Sequence, residues 1–295
     1  MAARLTDERG DVVCTQFNEA PAMSYKTILV HTDPTPDCDR RLKLARRVAE
    51  LFDGLVTGLG AEAFDPIAAS GYAAADGAVI EAVRQRIALD LPAAERRFHN
   101  SMAGRKGDLW IACEDYPAKI LALEARGSDL IIAGRPSHGA GSTFAAKPAE
   151  LIMEAGGPVL LAADNDVSFS GERVIVAWKD SRESRRALAD SLPFLMRAQS
   201  VVVLGVSGDA NTVVDQGGMK DVVRRLSRHG VEAALEVVPR GKGTVADAIE
   251  SAAIRHSADL IVTGAYGHSR LREWALGGVT EDFIAASSKF VLFSH

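Results

Sequence analysis

Asp259-Leu-Ile-Val-Thr-Gly264 reads as a buried strand that ends in a glycine turn, and the chain carries a near copy of it, Asp129-Leu-Ile-Ile-Ala-Gly134. In both, four apolar or β-branched residues stand between a carboxylate and a glycine. That is the pattern of a short parallel strand covered on both faces. Outward from the two copies, the flanking sequence agrees as well. Upstream of the first copy, residues 26–32 form an apolar run ending at Asp33. A helix follows with Leu44, Val48, Leu51 and Phe52 at i, i+4, i+7 and i+8, stopped by Gly54. Residues 55–59 read as a strand, 62–75 as a loop, 78–101 as a long helix, 109–113 as a strand and 118–125 as a helix. After Gly134, a helix over 149–155 and a strand over 158–162 complete five strands. The second copy repeats this order. A strand over 173–178 runs up to Asp180, and its helix carries Leu188, Leu192, Leu195 and Met196 at the same spacing. Strands follow at 201–206, 233–238, 260–263 and 290–293, with helices at 220–229, 245–255 and 279–286.

Strands alternating with helices call for a parallel sheet with helices on both faces, and a repeat of this length is a duplicated domain. The expected fold class is therefore α/β, with two tandem Rossmann-like domains over residues 24–165 and 172–295. Ser168-Phe-Ser-Gly171 is the natural linker. Residues 1–23 lack periodicity and read as a disordered N-terminal extension, with Met23 directly before the first strand.

The chain has 295 residues, 47% hydrophobic and 25% charged, which suits two ordinary globular cores. A net charge of −5 gives no reason to expect nucleic acid. The three cysteines, Cys14, Cys38 and Cys113, are scattered without CxxC spacing. That argues against a disulfide framework or zinc site and for a reducing compartment. No run approaches the ~18 apolar residues of a membrane span, and charges stand where a signal peptide needs an apolar core. The expected location is the cytoplasm.

Between the fourth strand of the second copy and the helix near Val279 lies Gly264-Ala-Tyr-Gly-His-Ser-Arg-Leu-Arg-Glu-Trp-Ala-Leu-Gly-Gly-Val-Thr280. A glycine-spaced loop lets backbone approach a ligand closely, and a helix N-terminus supplies free N–H groups and a positive dipole end, which suits a phosphate. Taken alone, the spacing fits a flexible surface loop equally well.

The spacing Gly264-x2-Gly267-x9-Gly277-Gly278, the Asp180 that ends the first strand and Val-Thr-Glu after the glycine pair together resemble the universal stress protein family. The resemblance covers residues 24–295, as a tandem member. It implies an adenine nucleotide alpha hydrolase-like domain, each sheet five-stranded in the order 3-2-1-4-5. It also implies ATP or a related adenine nucleotide as ligand, with or without magnesium. Carried over, Gly264, Gly267, Gly277 and Gly278 wrap the ribose and phosphates, Asp180 contacts the nucleoside and Val206 packs near the base. Val279 and Thr280 open the helix, and His268 and Arg270 lie within the loop beside the phosphates. Family members that bind nucleotide usually have Ser or Thr directly after the third spaced glycine, where this chain has Gly278. A lost hydrogen bond to a charged group costs roughly 1.5–3 kcal/mol, or about ten- to a hundredfold in affinity.

The first copy departs further. Its loop begins at Gly134, but Ser137 stands at the second glycine position and Lys147-Pro148 at the glycine pair. Proline has no N–H for a phosphate, so this half reads as degenerate. Gly241-Lys-Gly-Thr244 lacks the first glycine of a phosphate loop and reads as a turn. His31 and His256 read as core-edge or surface residues, and no catalytic or metal site stands out. The expected activity is therefore binding with at most slow ATP hydrolysis. The rival readings are a family member acting only through protein contacts and a slow ATPase. The halves are expected to pair through their fifth strands as a pseudo-dimer, because an open apolar edge invites aggregation. A homodimer of the whole chain is compatible with this, and any protein partner is unidentified.

Overall fold

The structure is a computed structural model that describes residues 5–6, 12–13, 24–65, 77–135, 143–163, 165, 168–208, 216–266 and 278–295. Near the N-terminus, β1 (Leu5–Thr6) pairs antiparallel with β2 (Val12–Val13), a small ladder that the aperiodic sequence gave no reason to expect. The first half then runs β3 (Thr27–Thr32), α1 (Cys38–Phe52), β4 (Leu55–Ala61), α2 (Gly77–Ser101), β5 (Leu109–Cys113), α3 (Pro117–Glu124), β6 (Leu130–Ala133), α4 (Pro148–Glu154) and β7 (Val159–Leu161). The second half runs β8 (Arg173–Ala177), α5 (Arg182–Asp190), α6 (Leu192–Leu195), β9 (Ser200–Ser207), α7 (Gln216–Arg228), β10 (Ala233–Pro239), α8 (Val245–Arg255), β11 (Leu260–Gly264), α9 (Gly278–Ala286) and β12 (Phe290–Ser294).

The larger sheet has ten strands in the order β10-β9-β8-β11-β12-β7-β6-β3-β4-β5. Within each half the strands follow the order 3-2-1-4-5 and pair in parallel. The two sets are not separate sheets, however. β12 pairs antiparallel with β7, Leu292 opposite Leu160, so the fifth strands fuse them into one surface. Period-2 alternation sends successive residues to opposite faces. Ile28, Val30, Val174, Val176, Leu260, Val262 and Leu292 fill one apolar layer, while Leu29, Ile175, Ile261, Val291 and Phe293 fill the other. Each layer runs across both halves. At the junction Phe194 packs against Tyr25, Phe52 and Phe169 with ring centroids 5.0, 5.2 and 5.4 Å away.

The carboxylates of the duplicated hexapeptide have a structural role in both copies. Asp129 Oδ2 accepts the backbone N–H groups of Lys26 and Thr27 at 2.8 and 2.9 Å, and Asp259 Oδ2 those of Ser170 and Gly171 at 2.7 and 2.8 Å. Each ties the start of a fourth strand to the chain entering the first strand. One expected helix is broken. The apolar spacing over Leu188, Leu192, Leu195 and Met196 suggests a single helix, but α5 stops at Asp190 and α6 restarts at Leu192. Pro193 has no N–H to continue the ladder, so the chain re-initiates with proline in the first turn. Met196 consequently falls outside both helices and is 42% exposed. The Gly241–Thr244 stretch is a turn leading to a capping box, in which Thr244 Oγ1 accepts Asp247 N–H at 3.1 Å and Asp247 Oδ2 accepts Thr244 N–H at 2.8 Å.

Candidate functional site

Parallel sheets of this kind open a crevice beyond the carboxyl ends of the first and fourth strands, where the strand order reverses. In the C-terminal half that crevice lies beyond β8, β9 and β11. Gly264 ends β11 against the first turn of α5, where a Cβ would stand 2.6 Å from both the Glu183 carbonyl carbon and the Ser184 nitrogen. Only glycine lets the strand end approach the helix this closely, so Gly264 has a packing role before any ligand is considered. Ala265 N–H donates to the Ser294 carbonyl at 2.9 Å, and Tyr266 turns the chain with a left-handed φ of 51°. Tyr266 then holds the two ends of the glycine-rich loop together. Its N–H lies 3.5 Å from Thr280 Oγ1, and its hydroxyl donates to Glu281 Oε1 at 3.1 Å. Burial, and then the Glu281 charge and hydrogen bond, raise the Tyr266 pKa well above its ordinary value, so it stays a donor.

Gly278 is the first residue of α9. It is exposed, and among the described residues no atom lies within 4 Å of a Cβ built there. Val279 is half-buried against the core and Thr280 is buried. Val206, half-buried in β9, sits in register with Val238 of β10. Gly267, His268, Arg270 and Gly277 lie outside the described residues.

Asp180 stands three residues beyond β8, exposed, 3.4 Å from Arg185 Nη1. Sheet register refines its place. Val30 faces Ile132 in the first half and Val176 faces Val262 in the second, so the residue equivalent to Asp33 is Lys179. The sequence puts a carboxylate after each first strand, but the second half carries one extra residue before its own.

The N-terminal crevice is filled by its own side chains. Asp33, buried, accepts from the Arg41 Nη2 group and from Thr35 N–H at 2.9 Å, while Arg41 Nε donates to the His31 carbonyl at 3.1 Å. Burial would raise the Asp33 pKa, but the Arg41 and His31 charges and the Thr35 hydrogen bonds outweigh it and hold the carboxyl below its usual value. Burial and then the Arg41 charge lower His31 to about 4, so its ring is neutral at pH 7. Arg41 also lies over the glycine of the degenerate loop, with Nη1 2.5 Å from where a Cβ on Gly134 would be. The space left among His31, Asp33, Arg41, Gly134 and Phe144 is a cavity of about 20 Å³, room for one water and no more. α4 begins with Pro148, which offers no N–H, and Lys147 is engaged by Glu150 Oε1 at 2.9 Å.

Arg41 escaped sequence reasoning although a signal was present. It stands three residues before Leu44 and seven before Val48, on the apolar stripe of α1. A cation there needs a buried partner, and Asp33 at the strand end is the one available. Tyr266 was inside the quoted loop but carried no distinguishing pattern. Among the described residues, no group of three or more His, Cys, Asp or Glu side chains is placed to hold a metal ion, and no helix is long and apolar enough to cross a membrane.

Comparison with known proteins extends this picture. Residues 171–295 match the model of the universal stress protein family. No curated protein matches the chain. Among solved structures, a universal stress protein from Archaeoglobus fulgidus DSM 4304 is 18% identical and has a TM-score of 0.64, with 91% of this chain and 95% of that one covered. A universal stress protein, described as putative, from Pseudomonas aeruginosa UCBPP-PA14 is 16% identical with a TM-score of 0.58, covering 92% and 93%. A protein of unknown function from Pseudomonas aeruginosa PAO1 is 17% identical with a TM-score of 0.57, covering 92% of each chain. At such identities the likeness concerns the fold, and it extends over both halves. The chain therefore carries a universal stress protein domain at residues 171–295, fused through its sheet to an N-terminal half of the same strand order.

Proposed function

We propose that this is a cytoplasmic stress-response protein whose C-terminal domain, residues 172–295, binds ATP or a related adenine nucleotide, while residues 24–165 form a structural partner domain. The observation that carries the reading is the contrast between the two crevices. Over Gly134 lies the Arg41 guanidinium, paired with buried Asp33, whereas α9 opens at Gly278 with no described atom within 4 Å of its Cβ position. Backbone N–H groups at Gly278, Val279 and Thr280 suit a phosphate at that helix start. Gly264, Gly267 and Gly277 complete the loop, with His268 and Arg270 as cationic or polar neighbours. Asp180 and Val206 take the nucleoside end. Magnesium would neutralise phosphate charge and needs no dedicated all-protein cage. Asp180 takes the nucleoside end and Glu281 is engaged by the Tyr266 hydroxyl, so turnover is slow or absent. Mass spectrometry of ligand released from the purified protein tests the reading directly. Adenine nucleotide in the released fraction supports it, and a protein that carries none and binds none on titration refutes it.

A second reading, protein contacts without nucleotide, draws on Gly264. The close approach of β11 to α5 accounts for that glycine with no ligand present.

A further inference from the structure

Arg135 follows Gly134 at the end of β6, in the half whose crevice is closed, but its side chain serves the other half. Its Nη1 donates to the Phe283 carbonyl and, at 3.4 Å, to that of Ile284, and its Nη2 donates to the Lys289 carbonyl at 2.9 Å. Phe283 and Ile284 lie in the last turn of α9, where the final four carbonyls have no partner inside the helix. A guanidinium there also faces the negative end of the helix dipole. Lys289 is the residue before β12, so one side chain fixes both the helix end and the entry to the next strand. The hydroxyls of Ser287 and Ser288 donate to Glu250 of α8, and Ser287 Oγ also accepts the Lys289 N–H at 3.1 Å and lies 3.5 Å from the Lys289 carbonyl. The end of α9 is thus held from its own half by Glu250 and from the sister half by Arg135.

The opposite end of this helix is Gly278. Nine residues of helix span roughly 13 Å, less than three turns, so a short rod pinned at one end is positioned at the other. We propose that Arg135 is a positioning residue for the phosphate end of α9. It clamps the helix C-terminus from the N-terminal half and sets where the Gly278, Val279 and Thr280 N–H groups stand. The degenerate half therefore contributes to ligand affinity without touching the ligand. This inference rests on the nucleotide reading above.

The test is ATP calorimetry on the full chain, comparing the parent with Arg135→Ala and Arg135→Lys, with hydrogen exchange followed on each. Arg135→Ala is expected to weaken ATP binding at least about fivefold, the lower end of ordinary site-to-site coupling. Exchange should quicken across Val279–Ala286 and stay unchanged in β6. Arg135→Lys keeps the charge but not the fork, and should fall between the two. An alanine variant that binds ATP as the parent does overturns the inference while leaving the nucleotide reading intact. A parent that binds no ATP overturns both. If Arg135→Ala does not fold, Arg135→Lys decides: weaker binding with faster α9 exchange supports the clamp, and parental affinity refutes it.

Discussion

The two crevices grow from nearly the same strands and end in opposite states. In the first, a helix residue on the apolar stripe is arginine, the strand ends in a buried aspartate, and the pair seals the space beside Gly134. In the second, the strand carries one more residue before its aspartate, the carboxylate is exposed, and the helix after the loop starts on a glycine with no described atom within 4 Å of its Cβ position. On the reading proposed above, a duplicated fold loses a pocket by filling it and not only by losing the residues that would hold a ligand. The scaffold around both crevices is equally well built, since the Asp129 and Asp259 clamps are the same device twice.

The largest effect expected from breaking this contrast is on stability. Arg41 and Asp33 are 6% and 7% exposed as side chains, so Arg41→Ala strands a buried carboxylate and should cost about 3–5 kcal/mol, read from the denaturant midpoint. An Arg41→Ala protein within ~1 kcal/mol of the parent would show that the pair does not seal the crevice.

Next is the pH dependence that the first crevice imposes. His31 titrates near 4 in the folded chain against 6.5 when free, so the unfolded chain binds more protons between those values. Stability from this group is complete above pH 6.5 and is lost as pH falls toward 4, by at most about 3 kcal/mol. Glu62, whose pKa is raised by burial despite its Thr143 and Arg86 hydrogen bonds, acts in the opposite sense. The readout is therefore the difference between the parent and His31→Gln, whose stability curve should be flatter over this window. Parallel curves would contradict it.

Sharpening the second crevice should have a smaller effect. Gly278→Ser meets no described atom and restores the hydroxyl usual in nucleotide-binding family members, so ATP binding should tighten about tenfold, near 1.4 kcal/mol. Unchanged or weaker binding would mean that the phosphates do not reach this helix start. Smallest of all, Arg185→Ala removes the exposed partner of Asp180, the pair being 57% and 56% exposed, and should change stability by about 0–1 kcal/mol. A loss comparable to that of Arg41→Ala would erase the distinction between the two carboxylates.

The architecture was legible because it depends on local patterns. Apolar runs of strand length, helical spacing and a copied hexapeptide set the element order, and the apolar fifth strands marked the edges that pair. What stayed hidden depends on long-range contacts. Arg41 sits on the apolar stripe of α1, but its closure of the crevice depends on Asp33 and Gly134 meeting it in space, and Arg135 reaches carbonyls of the sister half without any spacing signature. The break at Ser191 was readable from Pro193, but the apolar spacing across it masked the signal. The extra residue before Asp180 became visible only when strand register fixed which residues face each other. Of the candidate site, the described residues cover both ends of the loop, and Gly267, His268, Arg270 and Gly277 rest on sequence alone.

The central claim is that one half binds nucleotide and the other cannot. Calorimetry of ATP against the full chain, with Gly277→Val and Lys147→Ala beside the parent, tests it most directly. The account predicts one site per chain in the parent, no binding in Gly277→Val with the fold retained by circular dichroism, and parental binding in Lys147→Ala. Two equal sites in the parent, or a site that survives Gly277→Val and disappears in Lys147→Ala, would contradict it.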